Sequence, residues 1–259
     1  MSYKTILIAD VDGIRTITLN RPERRNAMTP EMQTELIAAM EESAVSHCRA
    51  VVFEGAGEAF CSGLDLSALQ SMSGQSAEDH RKDAERIARL FRTLYELPRP
   101  TIAAVHGPAI AGGAGLATIC DFTLATPEAK FGFTEARIGF VPALVSAFLA
   151  FQIGDKRTRD LLLTARLFSA TEALQLGLVN EVVARAELSG RVQTLAQTLI
   201  ANSPQSLSAT KHLLAAQNAA WLDAAIAIAM EANAQARETA DFREGLAAFL
   251  EKRKPMWME

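Results

Sequence analysis

The chain has 259 residues, of which 49 % are hydrophobic and 22 % charged, and a formal net charge of −4. That length suits one large domain, or a core with a smaller unit, and the balance is that of an ordinary soluble protein. The lack of a basic stripe argues against a nucleic-acid partner. Cys48, Cys61 and Cys120 lie far apart, as do His47, His80, His106 and His212. The scatter predicts reduced thiols in a cytoplasmic protein, with neither a disulfide frame nor a metal centre. The opening residues M-S-Y-K-T-I-L-I hold no long apolar run, and no stretch is read as reaching membrane-spanning length.

In chain order, residues 4–20 contain two β-rich runs around Asp12-Gly13, a hairpin signal. Arg21-Pro22 breaks the second run. Thr29-Pro30-Glu31 then opens a helix: an N-cap, a proline in the first turn and an acid near the positive helix end. Met32, Leu36, Ile37 and Met40 give that helix one apolar face. Residues 49–55 read as a buried strand. In A-F-C-S-G-L-D-L (residues 59–66), Gly63 permits an unusual backbone angle and a short helix can follow. The stretch is either a plain strand-to-helix turn or a place where the Leu64 N–H points at an anion. Residues 71–77 are polar and read as a surface loop. Residues 80–97 form an amphipathic pattern, with Ile87, Leu90, Phe91 and Leu94 assigned to the core. Pro98 and Pro100 stop it.

The stretch from 101 to 121, T-I-A-A-V-H-G-P-A-I-A-G-G-A-G-L-A-T-I-C-D, is the one the chain is organised around. It opens with a buried strand and turns at Gly107-Pro108. Gly112, Gly113 and Gly115 then head a short helix-compatible run. A helix start leaves its first N–H groups unpaired and carries the positive end of the dipole. These glycines serve either to hold negative charge on an oxygen or to allow close packing. A strand over 122–125 follows. Glu135 comes next, among Phe131, Phe133, Ile138 and Phe140. Apolar surroundings disfavour a carboxylate and move it toward proton-transfer behaviour; the alternative is a surface pair with Arg137.

Ser169-Ala170-Thr171-Glu172 is a capping box whose helix ends at Gly177, and 179–183 reads as a strand. From 188 onward the chain reads as helical. One helix starts at Ser203-Pro204 and a second spans 221–239. A last one begins near Asp241 with Phe242, Leu246, Phe249 and Leu250 on one face.

The order of these pieces resembles the crotonase superfamily, the enoyl-CoA hydratase/isomerase family. The matching segments are N-R-P-E-R-R-N-A-M, A-F-C-S-G-L-D-L, H-G-P-A-I-A-G-G-A-G-L, C-D-F, F-G-F-T-E and the ending E-G-L-A-A-F-L-E-K-R-K-P. The resemblance implies an α/β fold, a superhelix of ββα turns over residues 1–195. A helical C-terminal region, 196–259, packs in trimers or hexamers. It implies acyl-CoA as the bound partner, with no metal, redox cofactor, nucleic acid or membrane. The catalytic residues it implies are Glu135 and the backbone N–H groups of Leu64 and Gly112 as an oxyanion hole. The substrate-binding set is Arg25, Ala27, Ser62, Leu64, Asp65, Leu66, Ser67, Gly112 and Lys252.

One position departs from the pattern. Hydratases of this kind carry a first glutamate in the helix after the glycines; here that position is Gly115. The branch resembling 3-methylglutaconyl-CoA hydratases is similar in this respect and in Glu135-x-Arg137-x-Gly139, Pro142-Ala143 and Ser146. The resemblance therefore implies hydration of a short or branched 2-enoyl-CoA. The alternatives are a Δ3-Δ2-enoyl-CoA isomerase using Glu135 alone and a non-catalytic acyl-CoA binder. A dinucleotide fold is excluded, because the third glycine position of its fingerprint is Thr118.

Overall fold

The computed structural model describes residues 3–72 and 74–258. The chain opens with the hairpin β1 (Ile6–Val11) and β2 (Ile14–Leu19), then α1 (Pro30–Val45), β3 (Ala50–Gly55), α2 (Leu66–Met72) and α3 (Ala77–Glu96). The central stretch forms β4 (Thr101–Val105), β5 (Ala109–Ile110) and α4 (Gly112–Ile119), followed by β6 (Phe122–Ala125) and β7 (Lys130–Gly132). Next come α5 (Ala143–Ile153), α6 (Asp155–Thr164), β8 (Leu167–Ser169), α7 (Ala170–Leu176) and β9 (Glu181–Val182). The chain closes with α8 (Arg185–Ile200), α9 (Pro204–Ala236) and α10 (Ala240–Leu250).

Six strands make one sheet in the order β1-β2-β3-β4-β6-β9; β5, β7 and β8 make a second. Beyond the antiparallel hairpin the larger sheet is parallel. Parallel strands need cover on both faces, and the alternation of side chains supplies it. Ile17, Val51, Phe53, Ala103 and Val105 face the main core, which holds Met32, Leu36, Leu90 and Phe91 of α1 and α3. Their neighbours Val52, Ile102, Ala104 and Leu124 face Leu188, Val192, Ala196 and Leu199 of α8. The expected boundary at 195/196 therefore lies inside a helix that belongs to the sheet.

Local chemistry accounts for the element starts. Thr29 Oγ1 accepts from Met32 N at α1, and Ser169 Oγ accepts from Glu172 N at α7. Ser76 and Asp79 form a reciprocal capping box that starts α3 at Ala77, three residues before the sequence pattern places it. The loop expected at 71–77 shrinks accordingly, since α2 reaches Met72; Ser73 lies outside the described residues.

The two helices expected after Ser203 are one. α9 runs unbroken for 33 residues and packs on α3 and α5. It is long and apolar enough, by length and composition, to cross a membrane, which corrects the reading that no stretch reaches that length. Leu213, Leu214, Trp221 and Ile228 project from it into solvent. On α10, Phe242 and Leu246 are buried, whereas Phe249, expected on the same face, is exposed.

Candidate active site

The motif N-R-P-E-R-R-N-A-M builds the first wall. Asn26 is fully buried and adopts a left-handed backbone, φ 55°. Its Nδ2 donates to the carbonyls of Ala56 and Ala59, and its Oδ1 accepts from Arg21 N. This side chain stitches the turn after β2 to the turn after β3. Met28 then pairs with Leu64 in a parallel bridge: Met28 N donates to Gly63 O, and Asp65 N donates to Met28 O.

That pairing leaves the Leu64 N–H without an acceptor among the described residues. Gly63 has φ +90°, and a Cβ there would lie 2.9 Å from Ala111 Cβ and 3.0 Å from Ile110 O. Only a residue without a side chain permits both the angle and the approach. The approach sets the Leu64 turn beside the start of α4. There Ala111 is held at φ 53°, ψ −126°, an unfavourable region for alanine that costs about 1–3 kcal/mol. The following Gly112 N–H is the first of α4 and has no acceptor among the described residues either.

The glycines of α4 divide by role. Gly112 lines a cavity of about 440 Å³. Gly113 is there for packing, since a Cβ would lie 2.3 Å from the Cys61 carbonyl oxygen. Gly115 also packs: its Cβ would meet Val145 Cγ1 at 2.5 Å.

Glu135 opens a 3-10 turn, Glu135–Ile138, just after β7. It lines the same cavity. The residue keeps partial exposure, but its Oε2 is shielded from solvent and accepts no hydrogen bond. Burial pushes its pKa up to about 7, against a smaller opposing pull from its own backbone N–H. It forms no ion pair with Arg137, so the surface-pair alternative falls away.

Of the remaining expected residues, Arg25, Ser62 and Leu66 line the cavity. Four do not. Ala27 is buried away from the lining. Asp65 is a structural lock: Oδ1 accepts from Ser67 N and Ala68 N to cap α2, and Oδ2 pairs with Arg21 Nη2 at 2.9 Å. Burial pushes the Asp65 carboxyl upward, but Arg21 and these backbone donors outweigh it and hold it below the usual range. Ser67 is exposed on α2, and Lys252 is exposed at the end of α10. Its neighbour Arg253 reaches the cavity instead, clamped by Glu244 and Glu251.

Several lining residues were not legible as such. Ile87 and Phe91, assigned to the core, also face the cavity, as do Leu69, Phe140, Leu144, Val145 and Asn233. Arg137 completes a set of three arginines with Arg25 and Arg253. Among the described residues, Arg25 and Arg137 have no ion-pair partner. No cluster of three or more metal-ligating side chains occurs among the described residues. All three cysteines are free and buried.

This architecture recurs in solved structures. One is a crystal structure of an enoyl-CoA hydratase/isomerase from Xanthobacter autotrophicus Py2. It superposes with a TM-score of 0.89 at 32 % identity, over 97 % of this chain and 98 % of that one. The fold is therefore that of the crotonase superfamily. The family model described as Enoyl-CoA hydratase/isomerase matches residues 10–259. A Thermus thermophilus protein with the provisional name enoyl-CoA hydratase is 44 % identical over 243 residues, covering 93 % of this chain and 96 % of that one. The short-chain-enoyl-CoA hydratase of Clostridium acetobutylicum is 31 % identical, over 98 % of this chain and 97 % of that one. The chain belongs to the enoyl-CoA hydratase/isomerase family, and it is an enzyme of the hydratase type.

Proposed function

We propose that the protein adds water across the double bond of a short or branched 2-enoyl-CoA. The observation that carries this reading is Glu135: a shielded carboxyl without a partner, with a pKa near 7, in the wall of a largely apolar cavity. A general base works best when its pKa lies near the working pH. In the proposed cycle the Glu135 carboxylate takes a proton from water as the water oxygen bonds to Cβ. The π-electron pair shifts toward the thioester and places negative charge on its oxygen. The free N–H groups of Leu64 and Gly112 hold that oxyanion, an interaction that strengthens as charge develops. Glu135 then returns the proton to Cα, and the sum is one water added. The cavity residues Arg25, Arg137 and Arg253 suit the phosphates of coenzyme A.

The acyl group follows less directly. The Clostridium relative is named for short chains, and the pattern from Glu135 to Ser146 resembles hydratases of 3-methylglutaconyl-CoA. No resident cofactor enters this scheme. The exposed apolar face of α9 suits burial between copies, so we propose a trimer or a pair of trimers.

A second reading has its own support. Val145 fills the space beside Gly115, so no second carboxyl stands where two-acid hydratases have one. A single acid can lift a proton from one carbon of a 3-enoyl thioester and return it to another, which is isomerisation. Turnover in H₂¹⁸O separates the two. A hydratase converts 2-enoyl-CoA into a 3-hydroxyacyl product heavier by one labelled water. Unchanged mass with every 2-enoyl-CoA, together with turnover of 3-enoyl-CoA, would establish the isomerase. No turnover of either ester, despite tight acyl-CoA binding, would count against both readings of the reaction.

A further inference from the structure

Asn233, near the end of α9, is buried, with 4 % of its surface exposed, yet it lines the cavity. Its Oδ1 accepts from Arg237 Nε at 3.3 Å and from Arg237 Nη2 at 3.2 Å. A guanidinium only donates, so this contact assigns the amide: oxygen toward Arg237, NH₂ away from it. That NH₂ has no acceptor among the described residues. The wall around it is apolar, built from Leu69, Ile87, Phe140 and Leu144.

The charge behind Asn233 is balanced. Arg237 pairs with the carboxylate of buried Asp83. Arg86, the second guanidinium on that carboxylate, has a side chain one quarter exposed, so water screens it. What Asn233 offers the cavity is therefore a neutral N–H donor without a positive field. A carboxylate has about four lone-pair sites and would meet a single amide here. Stripping it of water costs more than that one hydrogen bond returns. A plain alkyl chain fails for the opposite reason, because it shuts the NH₂ away from water and accepts nothing from it. A neutral oxygen satisfies the donor and brings no charge.

The position of the donor assigns it to the acyl group. Arg25, Arg137 and Arg253, which suit the CoA phosphates, are all exposed, whereas Asn233 is buried. On α3, Phe91 Cζ lies 4.0 Å from where a Cβ on Gly112 would stand. Ile87 and then Asp83 follow one and two turns further along α3, and Asp83 holds the Arg237 that grips Asn233. Two helical turns span about 11 Å, so the donor stands several bonds beyond the thioester.

From this geometry we infer that the acyl group carries a neutral oxygen, as a ketone or hydroxyl, several carbons beyond the double bond. Asn233 donates to that oxygen and is a specificity-determining residue. The inference rests on the acyl-CoA reading but not on the hydration step.

The test measures binding of unreactive saturated esters to the full-length protein by calorimetry. 5-Oxohexanoyl-CoA, 5-methylhexanoyl-CoA and glutaryl-CoA have one shape and end in a ketone, a branched alkyl group and a carboxylate. 6-Oxoheptanoyl-CoA, 6-methylheptanoyl-CoA and adipoyl-CoA move the same groups by one carbon. In at least one set the ketone should bind roughly 10- to 100-fold tighter than both its counterparts. Asn233→Leu should erase the difference between ketone and alkyl esters. Asn233→Asp keeps an acceptor for Arg237, so it should fold even if the leucine variant does not. It loses the donor, and should erase the difference too. A ketone bound no tighter than its alkyl counterpart in both sets overturns the inference. So does tighter binding of a carboxylate ester than of its ketone, which would mark a cavity for anions, or a ketone preference that survives the variants. Failure to bind any CoA ester overturns instead the acyl-CoA reading on which the inference rests.

Discussion

Gly115 and Val145 compete for one space: a Cβ on Gly115 would stand 2.5 Å from Val145 Cγ1 and 3.1 Å from Phe91 Cζ. The site of a second acid has become part of an apolar wall. Gly115→Glu alone should overpack this wall and destabilise the fold by about 1–3 kcal/mol. Pairing it with Val145→Ala should recover the melting temperature. The double variant should also show a second ionisation in its pH–rate profile, because the new carboxyl would share the cavity with Glu135. Full stability of Gly115→Glu by itself would show that the helices separate more readily than their packing indicates.

Glu135 links activity and stability to pH with opposite signs. As a base it must be ionised, so kcat/KM for hydration should rise tenfold per pH unit up to a break near pH 7. For stability, the folded protein retains a proton between the ordinary carboxyl value of 4.5 and about 7, where the unfolded chain has released it. Stability therefore falls as pH rises through that window. Glu135→Gln should lose activity by several orders of magnitude. It should also be more stable than the wild type at pH 8, by something on the order of 1–3 kcal/mol. Denaturation curves at pH 5 and pH 8 check the sign.

The Gly112 N–H offers a separate handle on the oxyanion. A Cβ on Gly112 would meet Met28 Cε, the flexible end of a side chain, at 3.0 Å. Gly112→Val should therefore fold, while its side chain crowds the donor. Loss of one such donor costs roughly 100- to 1,000-fold in kcat. Near-normal turnover by a folded Gly112→Val would place the anion site elsewhere.

Arg25 and Arg253 should act on the CoA moiety and not on the acyl group. Replacing either with Gln should raise KM for acyl-CoA and leave the corresponding pantetheine thioester unaffected. Arg253→Gln should also loosen the C-terminal turn, because Glu244 grips both Arg253 and the Met256 N–H. An equal effect on both thioesters would assign these arginines a structural role.

Asp65→Ala removes a helix cap and an ion pair at once. A loss of about 1–3 kcal/mol follows from the cap and the stranded Arg21 together. Because Leu64 precedes this anchor directly, kcat should fall with little change in KM. Asp65→Asn, which can still cap, should recover much of the stability.

Much of this was legible in the sequence for local reasons. The run from Ile102 to Val105 is apolar because its strand is covered on both sides, and Asp12-Gly13 makes a turn that depends only on its neighbours. Residue type alone left two readings open at each glycine turn and at Glu135, and their proposed roles came from the resemblance to the crotonase superfamily. Features that depend on distant partners were not legible. Whether Gly115 packs or binds is decided by Val145, thirty residues away. Asp65 entered the expected binding set through the family resemblance, and its pairing with Arg21 is invisible in a linear reading. Asn233 lay in an Ala-rich stretch and carried no signal until the fold placed it in the cavity wall. The break expected within α9 was also wrong, since no local residue ends a helix that tertiary contacts extend.

The cavity draws its wall from Arg25 at one end of the chain and Pro255 at the other. This has a kinetic consequence. Closing loops of such length is the slow part of folding, so the hairpin and the helices can form well before any site exists. During refolding, far-UV dichroism should recover first. Catalytic turnover should return later, with the docking of α10 and the C-terminal turn. Activity in this protein is thus a clock for its last long-range contact.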